Sequence, residues 1–278
     1  MRTGFSLSPG GLLLPYHLGA LDALQYHGHL DSSSPIAGSS AGAIATACHA
    51  TGLDSRRVLD ATIRMSDRCE EMGSVRGNLM PLLKEEMNML IQEEEMLHLQ
   101  EREGDTVIAY RELFPFNRPI HQTDFEDRHD LMNAICHSSM FPFFTTNFPV
   151  AIDRSKRIPR VVVDGFFTVP RSRFGCPDFA IANSPVDRTV AIQVFPQEMI
   201  GDSEFADVDC IRPLGDEDPS QMQNLLRLAT QASSGRELTQ VYESGWADAE
   251  RWCRAQTPDG LNHKGIDTPV YDGSSGLN

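Results

Sequence analysis

Apolar and polar positions change their spacing along the chain in a way that predicts short strands alternating with helices. Residues 4–7 form an apolar run typical of a strand, and residues 12–26 carry apolar side chains at helical spacing up to Gly28. A second short apolar run, residues 36–37, predicts a strand that leads into a helix rich in small residues. We therefore expect the first fifty residues to fold as two strand–helix units.

Residues 81–103 carry the clearest amphipathic pattern in the chain. Leu83, Met87, Leu90 and Leu97 recur at helical spacing, and glutamates occupy the other positions, so we expect one amphipathic helix with a solvated face. Methionines in and beside this stretch fit either an adaptable, lipid-facing lid or ordinary core packing. Core packing is the commoner use of methionine at this spacing.

Three later segments continue the alternation. Residues 106–110 predict a strand, residues 127–139 a helix, and residues 160–164 a buried strand. Strands that alternate with helices predict an α/β fold, in which a mainly parallel central sheet is covered by helices on both faces.

The last quarter of the sequence has a different composition. We expect residues 1–205 to form the main domain and residues 206–278 to form a C-terminal helical extension. Within it, residues 207–219 resemble an acidic linker, residues 221–254 predict a long helix, and the Gly/Ser-rich end from Gly265 predicts a frayed tail.

The overall charge narrows the class of partner. A chain of 278 residues with 40% hydrophobic residues is long enough to bury a substantial core. Its formal net charge of −15 argues against nucleic-acid binding, which draws its affinity from Lys and Arg that neutralise phosphates. The charge also disfavours adsorption on anionic lipid, although it is compatible with local insertion of apolar side chains.

Cysteine usage and the absence of long apolar runs predict a location. Six cysteines without a Cys-x-x-Cys pair favour reduced thiols in an intracellular protein. The sequence shows neither a signal-peptide pattern nor a run long enough to span a membrane. We expect a cytoplasmic protein, or one held peripherally on a membrane or lipid droplet. No metal-ligand spacing stands out, so we expect no cofactor, no metal site and calcium-independent activity.

The strongest chemical signal is the segment Gly38-Ser39-Ser40-Ala41-Gly42, which lies between the predicted second strand and its helix. This G-x-S-x-G spacing is typical of a nucleophile elbow, because a serine on a sharp strand-to-helix turn tolerates no bulk at the flanking positions. Unpaired N–H groups at the helix start favour negative charge beside Ser40. The alternative is a tight structural turn, which the placement of strand and helix makes less favoured. The motif predicts acyl transfer.

Two further segments supply what such a serine needs. Asp164-Gly165 follows a predicted strand, and active sites of open α/β sheets gather at the carboxyl ends of strands, so Asp164 is the candidate base. Taken alone, an Asp-Gly pair also fits a hairpin turn. Gly10 and Gly11 follow the first strand and are the candidate oxyanion-hole donors, while Pro9 has no N–H and only shapes the turn. The alternative for this loop is a plain strand-to-helix turn.

These motifs, in this order, resemble the patatin-like phospholipase family, including its adiponutrin-type animal members. The family has a glycine-rich loop, then Tyr-His-x-Gly, then G-x-S-x-G, and far downstream an Asp-Gly pair. Here they are Pro9-Gly10-Gly11, Tyr16-His17-Leu18-Gly19, Gly38–Gly42 and Asp164-Gly165, and residues 129–143 also look like the family's segment before the aspartate. The resemblance covers about residues 4–200, and residues 240–252 resemble a helix that follows the domain in some members.

The resemblance implies a patatin-like fold and a Ser-Asp dyad of Ser40 and Asp164 that works through an acyl-enzyme, without a catalytic histidine. Family-typical substrates are acyl esters of phospholipids, galactolipids or glycerides. An ordinary α/β-hydrolase triad would need a late histidine, and His263 in the tail is the only one beyond Asp164. We expect His263 to be solvent-exposed and His17 to support the loop from the first helix.

The sequence also departs from the family pattern. The loop continues Leu12-Leu13-Leu14, without the usual basic residue and last glycine, and Phe166 replaces the second glycine of Asp-Gly-Gly. A scaffold that binds lipid or protein without turnover is therefore the competing class, and a soluble small-ester or thioester hydrolase is a third. Hydrolysis of glycerolipid acyl esters is the leading hypothesis, because the nucleophile, base and donors are all retained.

Overall fold

The computed structural model describes residues 1–154, 157–215 and 219–256. The strands are β1 (Thr3–Leu7), β2 (Ile36–Ser39), β3 (Thr106–Phe114), β4 (Arg118–Gln122), β5 (Ala151–Asp153), β6 (Arg160–Val163), β7 (Arg188–Ile192) and β8 (Cys210–Ile211). The helices are α1 (Leu14–Tyr26), α2 (Ala41–Ala50), α3 (Ser55–Glu71), α4 (Leu79–Leu90), α5 (Glu93–Glu101), α6 (Arg128–Ser138), α7 (Gln197–Ile200), α8 (Pro219–Thr230) and α9 (Gly235–Gln256).

All eight strands belong to one sheet with the order β5-β6-β3-β2-β1-β7-β8, and β4 pairs with β3 outside this path. Strands β1, β2, β3, β7 and β8 run parallel, whereas β4, β5 and β6 run antiparallel to their neighbours. Helices flank the sheet and bury its apolar side chains in a continuous core. The predicted α/β architecture with a mainly parallel sheet is confirmed.

Strand β3 is longer than the strand predicted at residues 106–110, and its extra length positions the site. Strand β4 pairs with one edge of β3 from Ile108 to Glu112. Strands β2 and β6 each pair with part of the same stretch of β3, so both must lie along its other edge, one after the other. There Ser39 of β2 lies opposite Ala109, and Val163 of β6 lies opposite Arg111. The two strands therefore lie end to end with their carboxyl ends facing each other.

Two predicted helices are each divided in two. The stretch at residues 81–103 forms α4 and α5, because Gln92 starts a new helix through a capping box with Glu95. The stretch at residues 221–254 forms α8 and α9, and the Ser234 hydroxyl accepts from the Glu237 N–H where α9 begins. The prediction of a single continuous helix is therefore wrong for both stretches.

Most of the predicted pattern within α4 and α5 is present. Met80, Met87 and Met96 are buried in the core, as ordinary core packing requires, whereas Met89 and Leu97 of the predicted apolar pattern are exposed. Glu86 departs from the expected solvated face, because it is buried and paired with Arg64. An amphipathic pattern alone does not reveal such a partner on another helix.

The described part of residues 206–278 lies against the rest of the chain. Strand β8 pairs with β7, and α9 packs along α1. Glycines permit this close packing, since a Cβ on Gly19 or Gly245 would overlap the backbone of the opposite helix. Two hydrogen bonds also join the helices, from Tyr16 to Asp248 and from Tyr242 to Asp22. The division of the chain at residue 205 stays a prediction.

Candidate active site

Ser40 occupies the sharp turn between β2 and α2. Its backbone has φ 55° and ψ −122°, a conformation that residues with a side chain rarely adopt. A Cβ on Gly38 would overlap the backbone of Gly42, and a Cβ on Gly42 would lie 2.6 Å from the Leu7 carbonyl oxygen. The predicted strand, turn and helix are thus present, and steric contact explains both glycines of the motif.

The backbone of this turn is held by Ser138, a residue at the end of α6. The Ser40 N–H donates to Ser138 Oγ at 2.8 Å, and the Ser138 hydroxyl donates to the Ala109 carbonyl at 2.6 Å. Ser39 is held separately, through a hydrogen bond from its hydroxyl to the Gly175 carbonyl at 2.6 Å. Sequence reasoning placed Ser138 inside the segment of residues 129–143 but assigned it no role.

Asp164 directly follows β6 and is fully buried next to Ser40. The prediction that it lies at the carboxyl end of a strand is correct, but that strand is antiparallel rather than part of the parallel set. Asp164 therefore approaches Ser40 from the opposite direction. Gly165 permits the approach, because a Cβ there would overlap the Ala109 carbonyl and lie 2.8 Å from the Ser39 Cβ.

The carboxylate of Asp164 is only partly satisfied. Oδ1 accepts from the Phe166 N–H at 2.8 Å, whereas Oδ2 is buried and has no hydrogen-bond partner among the described residues. Burial raises the pKa of Asp164 to about 7, and the Phe166 N–H and the Ser40 hydroxyl partly oppose that rise. A carboxyl with this pKa changes its charge near neutral pH, as a general base requires.

Gly10 and Gly11 lie between β1 and α1, where the candidate oxyanion loop was predicted. Neither backbone N–H donates to an acceptor in the part of the chain that the structure describes. Gly11 has φ +57°, and a Cβ there would overlap the carbonyl of Ala229 in α8. The loop therefore requires glycine at position 11 and contacts the C-terminal part of the chain.

His17 supports this loop from α1 as expected. Its Nε2 lies 2.8 Å from the Ser8 carbonyl, which only accepts, so Nε2 carries the proton. Burial lowers the pKa of His17 to about 4. The ring is therefore neutral near pH 7 and is committed to the loop. His263, the other histidine considered above, lies outside the described residues.

A narrow apolar pocket opens beside Ser40 and Gly11. Side chains of α3 and α4, among them Met65, Met80 and Leu83, line it. Its free volume is about 30 Å³, whereas pockets for small molecules usually measure about 300–1,000 Å³. A longer apolar ligand therefore requires side chains of α4 to move aside.

A larger cavity, of about 540 Å³, lies between α1, α2 and the segment around Arg102. Its lining is mainly polar and includes Asp22 and His49, but none of the predicted site residues. Size alone would place the functional site here. The strained serine, the buried aspartate and the free N–H groups instead favour the narrow pocket.

The strained serine at a strand-to-helix turn beside a buried carboxylate defines the class as a nucleophile-elbow α/β protein. The patatin-like phospholipase family matches the sequence over residues 5–172, so the chain belongs to this family, whose members are lipid acyl hydrolases. No curated protein matches the sequence closely enough to count as a relative.

Among solved structures, the chain is similar to the crystal structure of VipD from Legionella pneumophila. The two are 10% identical, with a TM-score of 0.47, over 91% of this chain and 67% of that chain. No helix among the described residues is both long enough and apolar enough to cross a membrane.

Proposed function

We propose that this protein is a serine hydrolase that cleaves acyl esters of glycerolipids, with Ser40 as nucleophile and Asp164 as general base. The observation that carries the proposal is the buried Asp164 carboxylate beside Ser40, with its Oδ2 free to accept a proton. Family membership supports the lipid acyl ester as the substrate class. The neutral, loop-bound His17 gives no support to a histidine base.

In the first half-reaction, Ser40 Oγ attacks the carbonyl carbon of the ester while its proton passes to Asp164 Oδ2. The carbonyl electron pair moves to oxygen, where the N–H groups of Gly10 and Gly11 stabilise the negative charge. The tetrahedral intermediate then collapses. The bond to the leaving alcohol breaks, Asp164 returns the proton to that alcohol, and an acyl-Ser40 ester remains.

In the second half-reaction, a water molecule repeats the sequence. Asp164 takes a proton from the water, the hydroxide adds to the acyl carbon, and the Ser40–acyl bond breaks as the proton returns to Ser40 Oγ. The Ser40 N–H already donates to Ser138, so it is not available as an oxyanion donor. Ser138 acts instead as a positioning residue that fixes the turn.

The narrow pocket bears on the substrate. Its apolar lining from α3 and α4 suits an acyl chain, and its small free volume requires Met80 and Leu83 to yield when the chain enters. Unbranched methionine side chains adapt to such a change with little strain. The expected product is a free fatty acid.

The test compares the wild type with Ser40→Ala and Asp164→Asn. We expect a fluorophosphonate probe to label the wild type, and fatty acid to be released from mixed glycerolipids and from a short soluble ester. Both variants should lose labelling and release while they keep the wild-type circular dichroism spectrum.

Three outcomes would count against the proposal. No labelling of folded wild type would favour a binding scaffold without turnover. Release from short esters but from no glycerolipid would favour a soluble ester or thioester hydrolase. Labelling that survives Asp164→Asn would remove Asp164 from the dyad.

A further inference from the structure

Basic and aromatic residues are concentrated in one segment of this acidic chain. Residues 139–176 contain seven of the 14 phenylalanines, and they hold six Lys or Arg against two Asp. The segment thus has a net charge of +4 in a chain whose total is −15. Both of its acidic residues, Asp153 and Asp164, are buried. The overall charge therefore does not describe this part of the surface.

The pairing of β3 with β6 places two hairpin tips beyond the candidate active site. Asp164 lies near the level of Tyr110, and β3 continues to Phe114, which is about 13 Å further at the usual rise of a strand. The β3–β4 tip, residues 115–117, lies past this point, and so does the end of the β5–β6 hairpin marked by the Asp153–Arg160 pair. They therefore project from the end of the sheet at which Ser40 lies.

Both tips expose large apolar side chains. Phe114 lies opposite Val161, which lies opposite Ile152, so the three form a row across neighbouring strands. Phe114 and Ile152 are each more than half exposed, and Phe116 is 66% exposed at its tip. Isolated exposed apolar residues are ordinary, but a contiguous group of them indicates a contact surface.

A second group of aromatic rings joins these tips to the active site. Phe141 stacks on Phe167 with 5.8 Å between ring centroids. Phe167 lies three residues after Asp164, and its carbonyl accepts from Arg111, which also donates to Asn117 in the β3–β4 tip. Phe148 is 68% exposed. We call these exposed apolar residues the aromatic rim and define it as Phe114, Phe116, Phe141, Phe143, Phe148, Ile152 and Phe167.

Exposed positive charges lie beside the aromatic rim. Arg118 lies over the Phe116 ring at 5.1 Å, and Arg154 and Arg157 are exposed at the β5–β6 tip. The acidic residues of these hairpins, Glu112 and Asp153, are buried beside Arg160. Guanidinium groups beside exposed phenylalanines suit a surface that has negative head groups above an apolar interior.

We propose that the aromatic rim and its flanking arginines dock on an anionic lipid surface, so that the ester groups of that surface reach Ser40. This inference names the partner surface of the proposed hydrolase and rests on that proposed function. It also revises the expectation from net charge, because attraction within a Debye length depends on the local charge.

The test measures vesicle binding by co-sedimentation in a Ser40→Ala background, so that no lipid is consumed. Vesicles of phosphatidylcholine alone are compared with vesicles that also contain phosphatidylserine, at low and high salt. One variant combines Arg154→Glu with Arg157→Glu, and a second combines Phe116→Ser with Phe148→Ser. The matched control combines Leu97→Ser with Arg254→Glu, because both side chains are exposed outside the rim.

We expect the wild-type surface to prefer phosphatidylserine vesicles and to lose binding in high salt. The arginine variant should bind about 30-fold more weakly, the phenylalanine variant about tenfold more weakly, and the control as well as the parent. With Ser40 restored, all variants should hydrolyse a short soluble ester at the wild-type rate. Vesicle binding without fluorophosphonate labelling would leave docking intact and reject the hydrolase.

Equal binding to both kinds of vesicle, or binding unaffected by the phenylalanine variant, would overturn the proposal. Failure of the wild type to bind either vesicle would also overturn it. If that failure accompanied dimerisation that Phe116→Ser with Phe148→Ser abolished in sedimentation velocity, the rim would be an interface between two copies of this chain.

Discussion

Two buried aspartates of this protein have opposite surroundings. Asp248, between α1 and α9, accepts from the Tyr16 hydroxyl at 2.7 Å and pairs with Arg251 at 2.7 Å. Asp164 follows β6 and lies beside Ser40 at the start of α2; its Oδ1 accepts from the Phe166 N–H, and its Oδ2 has no partner among the described residues. Burial raises both pKa values. Tyr16 and Arg251 oppose the rise at Asp248, and the Phe166 N–H and the Ser40 hydroxyl oppose it at Asp164.

The difference separates a structural carboxylate from a reactive one. The partners of Asp248 offset part of the desolvation of its charge, and through Tyr16 the residue joins two helices. Asp164 keeps an unsatisfied oxygen at a cost in stability, and its carboxylate lies beside a serine on a strained turn. Incomplete satisfaction in one place and full satisfaction in the other is the pattern expected when one site serves chemistry.

The largest expected effect is on turnover. Asp164→Asn should lower kcat/KM by about 1,000-fold or more, because the amide accepts no proton from Ser40. Asp248→Asn should keep turnover within about threefold of the wild type. Initial rates on a soluble ester check both variants. Comparable losses in the two would erase the distinction between the aspartates.

The next effect is a pH dependence that belongs to Asp164. Turnover requires the ionised carboxylate, so kcat/KM should rise about tenfold per pH unit on the acid side and level off above about pH 7. Rates measured from about pH 5 to about pH 9 on an uncharged ester check this. A profile that is flat across pH 7 would show that another group controls the reaction.

Stability should respond in opposite directions at the two aspartates. The folded pKa of Asp164, about 7, lies above the ordinary value of 3.8, so the folded state loses stability as pH rises from about 4 to about 7. Asp164→Asn should remove that loss, which linkage puts at roughly 4 kcal/mol at most. Tyr16→Phe should cost about 1–3 kcal/mol, because it strands a buried oxygen of Asp248.

Urea unfolding of both variants at about pH 4 and about pH 8 measures these changes. The advantage of Asp164→Asn over the wild type should be present only at the higher pH. If the variant is less stable than the wild type at both, the Asp164 carboxylate has partners that offset its burial.

The smallest expected effect concerns two adjacent serines. Ser138→Ala removes the acceptor of the Ser40 N–H and the donor to Ala109, and should cost about 1–3 kcal/mol together with about tenfold in kcat. Ser139, whose buried hydroxyl has no partner among the described residues, provides the matched control. Ser139→Ala should change the free energy of unfolding by no more than about 0.5 kcal/mol. Equal destabilisation by the two substitutions would contradict the role given to Ser138.

Sequence pattern predicted the elements near the elbow well, because each of them depends on neighbours in the chain. Residues 36–42 contain the strand, the turn and the helix start. Gly38 is required by contacts within this segment, whereas Gly42 is required by the close approach of β1. Predictions failed where a distant residue decides the outcome. Glu86 is buried because of Arg64, and no periodicity within α4 indicates that partner.

The sequence by itself determined the α/β class, the strained position of Ser40 and the presence of an Asp-Gly pair after an apolar strand, since local backbone sterics and side-chain period govern these features. The tertiary structure alone decided that β6 meets β2 end to end, that Ser138 holds the turn and that basic residues surround exposed phenylalanines. These features depend on which strands pair and in which direction, and pairing joins residues 47 to 70 positions apart along the chain.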